Sequence, residues 1–238
     1  MPTQTKLPSL VDLLEAGVHF GHEKSKQSPK MKPFVFTQRD RIGIINLEKT
    51  LSALDQAANF LRQIASQPQN TILFVGTKRQ ATNLVREQAE SVNMPYVTKR
   101  WLGGTLTNFS TILKSIEKLE ELKNMDGTKE LDKLTKKEKS VRQKEISRLE
   151  SVLEGLRLIR TLPAAIIVVG AHDEKLAVRE ANQIGIPIVG IVDTNANPEL
   201  VDYPIPANDD AVRSLKLILT TLTQAIAKSK SNDQKPSS

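Results

Sequence analysis

The chain has 238 residues, no cysteine, and 34 basic against 27 acidic side chains, for a net charge of +7. The length suits one α/β domain with an appendage. The missing cysteine excludes disulfides, thiolate metal sites and cysteine nucleophiles, and the charge favours an anionic partner.

Residues 1–109 carry 14 basic and 8 acidic side chains, whereas residues 161–227 carry 4 and 8. A basic front and an acidic back suit RNA on one side and a different neighbour, protein or metal, on the other. The N-terminus lacks the apolar stretch of a signal peptide. Apolar runs such as Ala164–Val169 are too short to cross a bilayer. The expectation is a soluble, cytosolic protein.

Ser9 reads as a helix N-cap with Asp12 three residues on; Leu10, Leu13 and Leu14 form a short apolar face, and Gly17 stands where a terminating glycine belongs. Residues 18–41 form a basic arm. Between Lys24 and Arg41 lie six cations (Lys24, Lys26, Lys30, Lys32, Arg39, Arg41) and one acid, Asp40. Pro29 and Pro33 predict an extended backbone there. Such an arm fits a polyanion, nucleic acid first; a solvated basic loop is the other reading. Phe34–Phe36 and Ile42–Ile45 predict a hairpin around Thr37–Arg41.

Leu47, Leu51, Leu54, Ala58, Leu61 and Ala65 repeat at helical spacing up to Pro68. Thr71–Val75 is a strand, Gly76–Arg79 a turn into a helix reaching Val92, and Tyr96–Val97 a second strand. Ala165–Val169 and Ile188–Val192 are further strands separated by a helix from Glu174 to Ile184, with a short last strand at Ile205. Asn208 caps a final helix from Asp209 to Ala227, and Lys228–Ser238 reads as a disordered tail. Continuous apolar strands alternating with helices predict a parallel sheet covered on both faces.

Residues 111–160 break the rhythm. Ile112, Ile116, Leu119 and Leu122 make one stripe, and Ile146, Leu149, Leu153 and Leu156 make another. Met125–Thr128 is a turn signal and Thr135–Glu138 a capping box. These features predict an inserted antiparallel coiled-coil α-hairpin. The body is then residues 1–110 and 161–227.

Three constellations could carry chemistry. Gly76–Arg79 opens a helix, where backbone N–H groups favour a phosphate of a nucleotide or of RNA; it fits no Walker or dinucleotide pattern. A satisfied turn is the plainer alternative. Lys99–Phe109 sets two cations before the single tryptophan, Trp101, and follows it with Gly103–Gly104, Thr105, Thr107 and Asn108, groups that reach phosphate or ribose. Trp101 faces RNA or lies in the core with Arg100 turned outward. His19, His22, Asp193, Asp209 and Asp210 form a candidate divalent-metal set, zinc included, with His22 and the three aspartates as the ligands, against local caps and hydrogen bonds. No nucleophile elbow or zinc-protease motif is present.

The ordered strings His19–His22, Pro29–Phe34, Ile44–Thr50, Phe74–Arg79, Arg100–Gly104, Leu106–Asn108, Leu134–Glu138, Gly185–Pro187, Ile191–Asn195 and Asn208–Asp210 together resemble the bacterial or organellar small-subunit ribosomal protein two family. The resemblance runs from about residue 7 to 227. It implies a flavodoxin-like α/β body and a structural place on the small ribosomal subunit near the head–body junction. It implies contact with small-subunit rRNA and help in seating ribosomal protein one, in a cytosolic or organellar ribosome. It implies no enzymatic activity, small-molecule substrate, membrane or required cofactor. Carried over, the rRNA-facing positions are Lys24, Lys30, Lys32, Arg39, Lys78, Arg79, Lys99, Arg100, Trp101 and Asn108, with Lys136 and Lys137 on the arm. Val169–Glu174 departs from the family pattern and carries no expected contact.

Overall fold

Residues 7–124 and 135–232 are described by the computed structural model of the chain. Helix α1 (Leu10–Glu15) starts at Ser9, whose hydroxyl accepts from Asp12 N while the Asp12 carboxylate accepts from Ser9 N. It stops at Gly17, which has φ +73°, a conformation that costs glycine little. Strands β1 (Phe20–Glu23), β2 (Val35–Arg39) and β3 (Ile42–Ile45) form an antiparallel sheet in the order β1-β3-β2. Asp40 and Arg41 make the two-residue turn with φ of 49° and 68°, the left-handed pair that matches strand twist.

Between β1 and β2 the basic arm is not extended. Pro29–Phe34 is a 3₁₀ helix with a proline in its first turn, where a missing N–H removes no hydrogen bond. Met31 within it is fully buried. Fixed proline φ suits a tight helix as well as an extended chain, and burying Met31 selects the helix.

Helix α2 (Leu47–Ala65) follows Asn46, whose Oδ1 accepts from Glu48 N and Lys49 N. Then come β4 (Ile72–Val75), α3 (Thr82–Ser91), β5 (Tyr96–Val97), α4 (Phe109–Asn124), α5 (Lys136–Leu153), β6 (Ala165–Val169), α6 (Lys175–Ile184), β7 (Ile188–Val192), β8 (Tyr203–Pro206) and α7 (Val212–Asn232). The five strands β4 to β8 are parallel in the order β5-β4-β6-β7-β8. This is the flavodoxin-like order, with its crossing point between β4 and β6. Every residue of β4, β6 and β7 is buried, as a sheet covered on both sides requires.

Alternate strand residues feed two cores. Ile72, Phe74, Ile167 and Val189 meet Leu54 and Leu61 of α2, Val85 of α3 and Leu219 of α7. Leu73, Val75, Ile166 and Val168 meet Ile112 and Ile116 of α4, Ile146 and Leu153 of α5 and Val178 of α6. The insertion's described part therefore shares this core with the sheet, while α4 and α5 pack against each other. Gly155, just beyond α5, is pressed so close that a Cβ would sit 2.2 Å from the Tyr96 carbonyl. The Thr135–Glu138 capping box forms, and α4 and α5 are joined by the ion pairs Lys118–Glu145 and Lys123–Glu150. The expected turn at Met125–Thr128 lies outside the described residues.

Two boundaries shift. Asn208 Oδ1 accepts from Asp210 N and Ala211 N, so Asp209 and Asp210 belong to a turn and α7 begins at Val212. The helix continues past Ala227 to Asn232, since Ser229 is still buried and donates its hydroxyl to the Ile226 carbonyl. Residues 228–232 thus leave the expected disordered tail. Among the described residues, no helix is long and apolar enough to cross a membrane.

Candidate nucleic-acid interface

Several segments meet past the carboxyl ends of the parallel strands, where open α/β sheets gather their ligand groups. Thr194, just beyond β7, anchors the basic segment: its hydroxyl accepts from His22 N and its carbonyl from Ser28 N, both at 2.7 Å. A Cβ on Gly21 would lie 2.5 Å from the Thr194 methyl, so the backbone approach needs glycine. The Gly76–Arg79 turn leaves β4 on this edge, and the Thr98–Asn108 loop leaves β5 there.

The expected cations divide. Lys24, Lys32, Arg79, Lys99 and Arg100 are exposed, and no ion pair links them to a carboxylate among the described residues. Lys24 and Lys32 line a groove of about 410 Å³ with Gln27, Ser28 and Gln38. Lys30 pairs with Glu199, and Arg39 lies 3.9 Å from Asp40 with both side chains more than four-fifths exposed. Such surface pairs are weak and exchange readily with other anions. Lys136 and Lys137 are exposed in the first turn of α5.

Lys78 departs from expectation. Its ammonium sits 2.5 Å from Asp209, 2.9 Å from Asp210 and 3.1 Å from Asp173. Burial alone would lower its pKa, but the bonds and charges of these aspartates, Asp209 foremost, hold it above the ordinary lysine value. It is an internal counter-ion, not an RNA-facing group. The backbone beside it is engaged too: Thr77 N donates to Glu174 Oε1 at 2.6 Å. Burial raises the Glu174 pKa against the opposing pull of its Thr77 bonds. Gly76 serves packing, since a Cβ there would lie 2.8 Å from a Val85 methyl. The turn's Thr77 N–H and the Lys78 ammonium are therefore engaged within the protein, and Arg79 is left as its exposed cation.

Of the candidate metal ligands, His22, Asp193 and Asp209 converge, and Asp210 stands on the other side of the imidazole. His22 Nδ1 is 3.0 Å from Asp193 Oδ1, and Nε2 is 3.5 Å from Asp210 Oδ2. One ligand atom each from His22, Asp193 and Asp209 lies within 4.8 Å of the others. Contact with Asp193 raises the His22 pKa over the opposing effect of burial. Asp209 is fully buried, and its Oδ2 has no hydrogen-bond partner. Burial and the Asp193 charge push it up to about 6, with Lys78 pulling the other way.

In the β5 loop, Trp101 is buried and its indole N–H donates to Glu180 Oε1 at 3.0 Å, so it is not an RNA-stacking residue. The loop's small polar groups also face inward: Gly104 N and Thr107 N bind Glu180, and the Thr105 hydroxyl donates to the Leu102 carbonyl. What remains outward is Lys99, Arg100 and Asn108. Glu180 escaped the sequence reading. It lies 73 to 79 positions from its partners, and its only signal is an acidic residue on the apolar stripe Ala177–Val178–Ala181 of α6.

Residues 13–229 match the family described as Ribosomal protein S2. The chain belongs to that family. It is 49% identical over 222 residues to the small ribosomal subunit protein uS2 of a Nitratiruptor species, covering 93% of this chain and 83% of that protein. The uS2 of Helicobacter hepaticus is 48% identical over 226 residues, 95% of this chain and 85% of its own. That of Salinibacter ruber is 49% identical over 218 residues, 92% and 68% respectively. The family is one of structural ribosomal proteins, not enzymes. Membership agrees with the ordered strings of the sequence.

Proposed function

We propose that this chain is a structural constituent of the small ribosomal subunit that binds its rRNA near the head–body junction. The carrying observation is the set Lys24, Lys32, Arg79, Lys99 and Arg100, exposed and free of carboxylate partners among the described residues. Phosphate contacts position a protein on RNA without reading sequence, which suits a structural constituent. Lys30, Arg39, Asn108, Lys136 and Lys137 join as outlying contacts. The test is co-sedimentation with small subunits lacking their own copy, at rising salt. One saturable copy per subunit, weakening with salt by about 0.7–0.9 in log–log slope per phosphate contact, is expected. No binding at low salt by folded protein would end the reading.

Help in seating ribosomal protein one is the finer part of this reading. It is supported by an apolar groove of about 460 Å³ lined by Leu10, Val11, Leu14, Phe36, Ile44 and Leu47, with Phe36 73% exposed. A protein neighbour would cover such a patch. Phe36→Ala should weaken retention of ribosomal protein one on reconstituted subunits while leaving rRNA binding intact; equal retention would remove the groove from the proposal.

A second reading is favoured by the convergence around His22. Together with Asp193 and Asp209 it offers one imidazole and two carboxylates, with the unpartnered Asp209 Oδ2 among them. This donor set fits a divalent ion such as zinc. When bound, such an ion would supply charge neutralisation and cross-link β1 to the turns after β7 and β8; Lys78 supplies part of that charge itself. Metal analysis of protein purified without chelators decides: about one equivalent is expected, and less than about a tenth excludes the site.

A further inference from the structure

Glu180 is 8% exposed and has no cation paired with it among the described residues. Instead, one loop wraps it. Trp101 Nε1 and Gly104 N donate to Oε1 at 3.0 and 2.8 Å. Leu106 N, Thr107 N and the Thr107 hydroxyl donate to Oε2 at 3.0, 3.2 and 3.2 Å. Both oxygens of a single carboxylate are thus committed to four residues of a different segment, Trp101, Gly104, Leu106 and Thr107. Three converging backbone N–H groups form a concave anion-binding nest of the kind that elsewhere holds a phosphate. Here the anion is part of the protein.

Resting on the rRNA-binding reading above, we propose that Glu180 is the positioning residue of the RNA-facing loop. Its carboxylate turns the loop's own donors inward and so fixes the outward direction of Lys99, Arg100 and Asn108. An unpinned glycine-containing loop would present the same side chains in many orientations and lose conformational entropy on binding. The device also keeps the negative charge beneath the loop and the positive charge on its outer surface. Gly103, at the exposed tip, has nothing within 4 Å of where a Cβ would stand, so the loop keeps its shape by the Glu180 bonds and not by crowding at its tip.

Trp101 is the chain's single tryptophan, so selectively excited tryptophan emission reports on this contact. The experiment compares wild type, Glu180→Gln, Lys99→Ala/Arg100→Ala and the triple variant. Each is titrated with a bacterial small-subunit rRNA transcript at several salt concentrations, after circular dichroism shows a folded body. Glu180→Gln keeps the shape but places an N–H₂ group where an acceptor is needed. It should shift Trp101 emission and reduce the salt slope by roughly 1.4–1.8, the amount for two phosphate contacts. Added to the double cation variant it should cause no more than about a twofold further loss, the non-additivity of residues acting through one element. Losses that multiply, or wild-type binding by Glu180→Gln despite shifted emission, would overturn the proposal. Failure of wild type to bind would instead overturn the rRNA reading, and this proposal with it. Should Glu180→Gln not fold, Thr107→Val removes one donor only and should give a smaller loss in the same direction; unchanged binding and emission there would count against the proposal.

Discussion

Lys78 and Arg100 stand at the same edge of the same sheet, each after a parallel strand, yet they do opposite things. Lys78 is enclosed by Asp173, Asp209 and Asp210 and belongs to the interior electrostatics of the body. Arg100 is exposed, and the acid nearest its loop, Glu180, is used by backbone and indole N–H groups. Whether a lysine or arginine is available to RNA is set by carboxylates delivered from distant segments, not by the local run of cations.

The sharpest way to break this contrast is to remove Lys78. Lys78→Ala leaves Asp209 buried without its cation and should lower stability by about 3 kcal/mol, read by urea unfolding. The salt slope of rRNA binding by the remaining folded protein should not change. A reduced slope would place Lys78 back among the RNA contacts. Arg100→Ala should do the reverse: stability within about 0.5 kcal/mol of wild type, slope lower by roughly 0.7–0.9. A stability loss comparable to that of Lys78→Ala would show that Arg100 is structural.

Acid titration extends the comparison to Glu180. Burial alone would raise its pKa, but the Trp101, Gly104, Leu106 and Thr107 bonds more than offset this and hold it below the ordinary glutamate value. Its stabilisation is therefore complete above the unfolded pKa and is lost as pH falls through the lower folded one. Trp101 emission should stay constant down through the ordinary carboxylate range and change only below it. A transition at or above the ordinary glutamate pKa would contradict the geometry. The smallest expected effect belongs to the surface pair Lys30–Glu199. Glu199→Ala should cost less than about 1 kcal/mol and, by freeing Lys30, steepen the salt slope by up to roughly 0.9. An unchanged slope would take Lys30 off the interface.

Much of the body was legible because its signals are local. Continuous apolar runs gave β4, β6 and β7, and Ser9–Asp12 and Thr135–Glu138 announced their helices. Asp193 could be named a candidate ligand because it closes a strand of the parallel sheet, but its meeting with His22 of β1 and with Asp209 was not readable in the sequence. What the sequence hid depends on long-range pairing. The partners of Lys78 at Asp209 and Asp210 lie more than 130 positions away, and Trp101 finds Glu180 at 79. Pro29 and Pro33 misled for a different reason: their fixed φ suits both extended and 3₁₀ backbone, and the choice was made by burial of Met31. The insertion's apolar stripes are helical faces and α4 does meet α5, but periodicity does not say that the pair also shares a core with the sheet.

The two outermost strands of the parallel sheet are unlike those between them. At one side β5 is only two residues long, with Gly155 pressed against it; at the other β8 carries Pro204 and Pro206. A short border and a proline-bearing one give another chain little unpaired backbone to add to. A newly made copy waiting for its RNA, with a two-sided apolar sheet inside it, is thereby protected from edge-to-edge aggregation by the way its sheet ends.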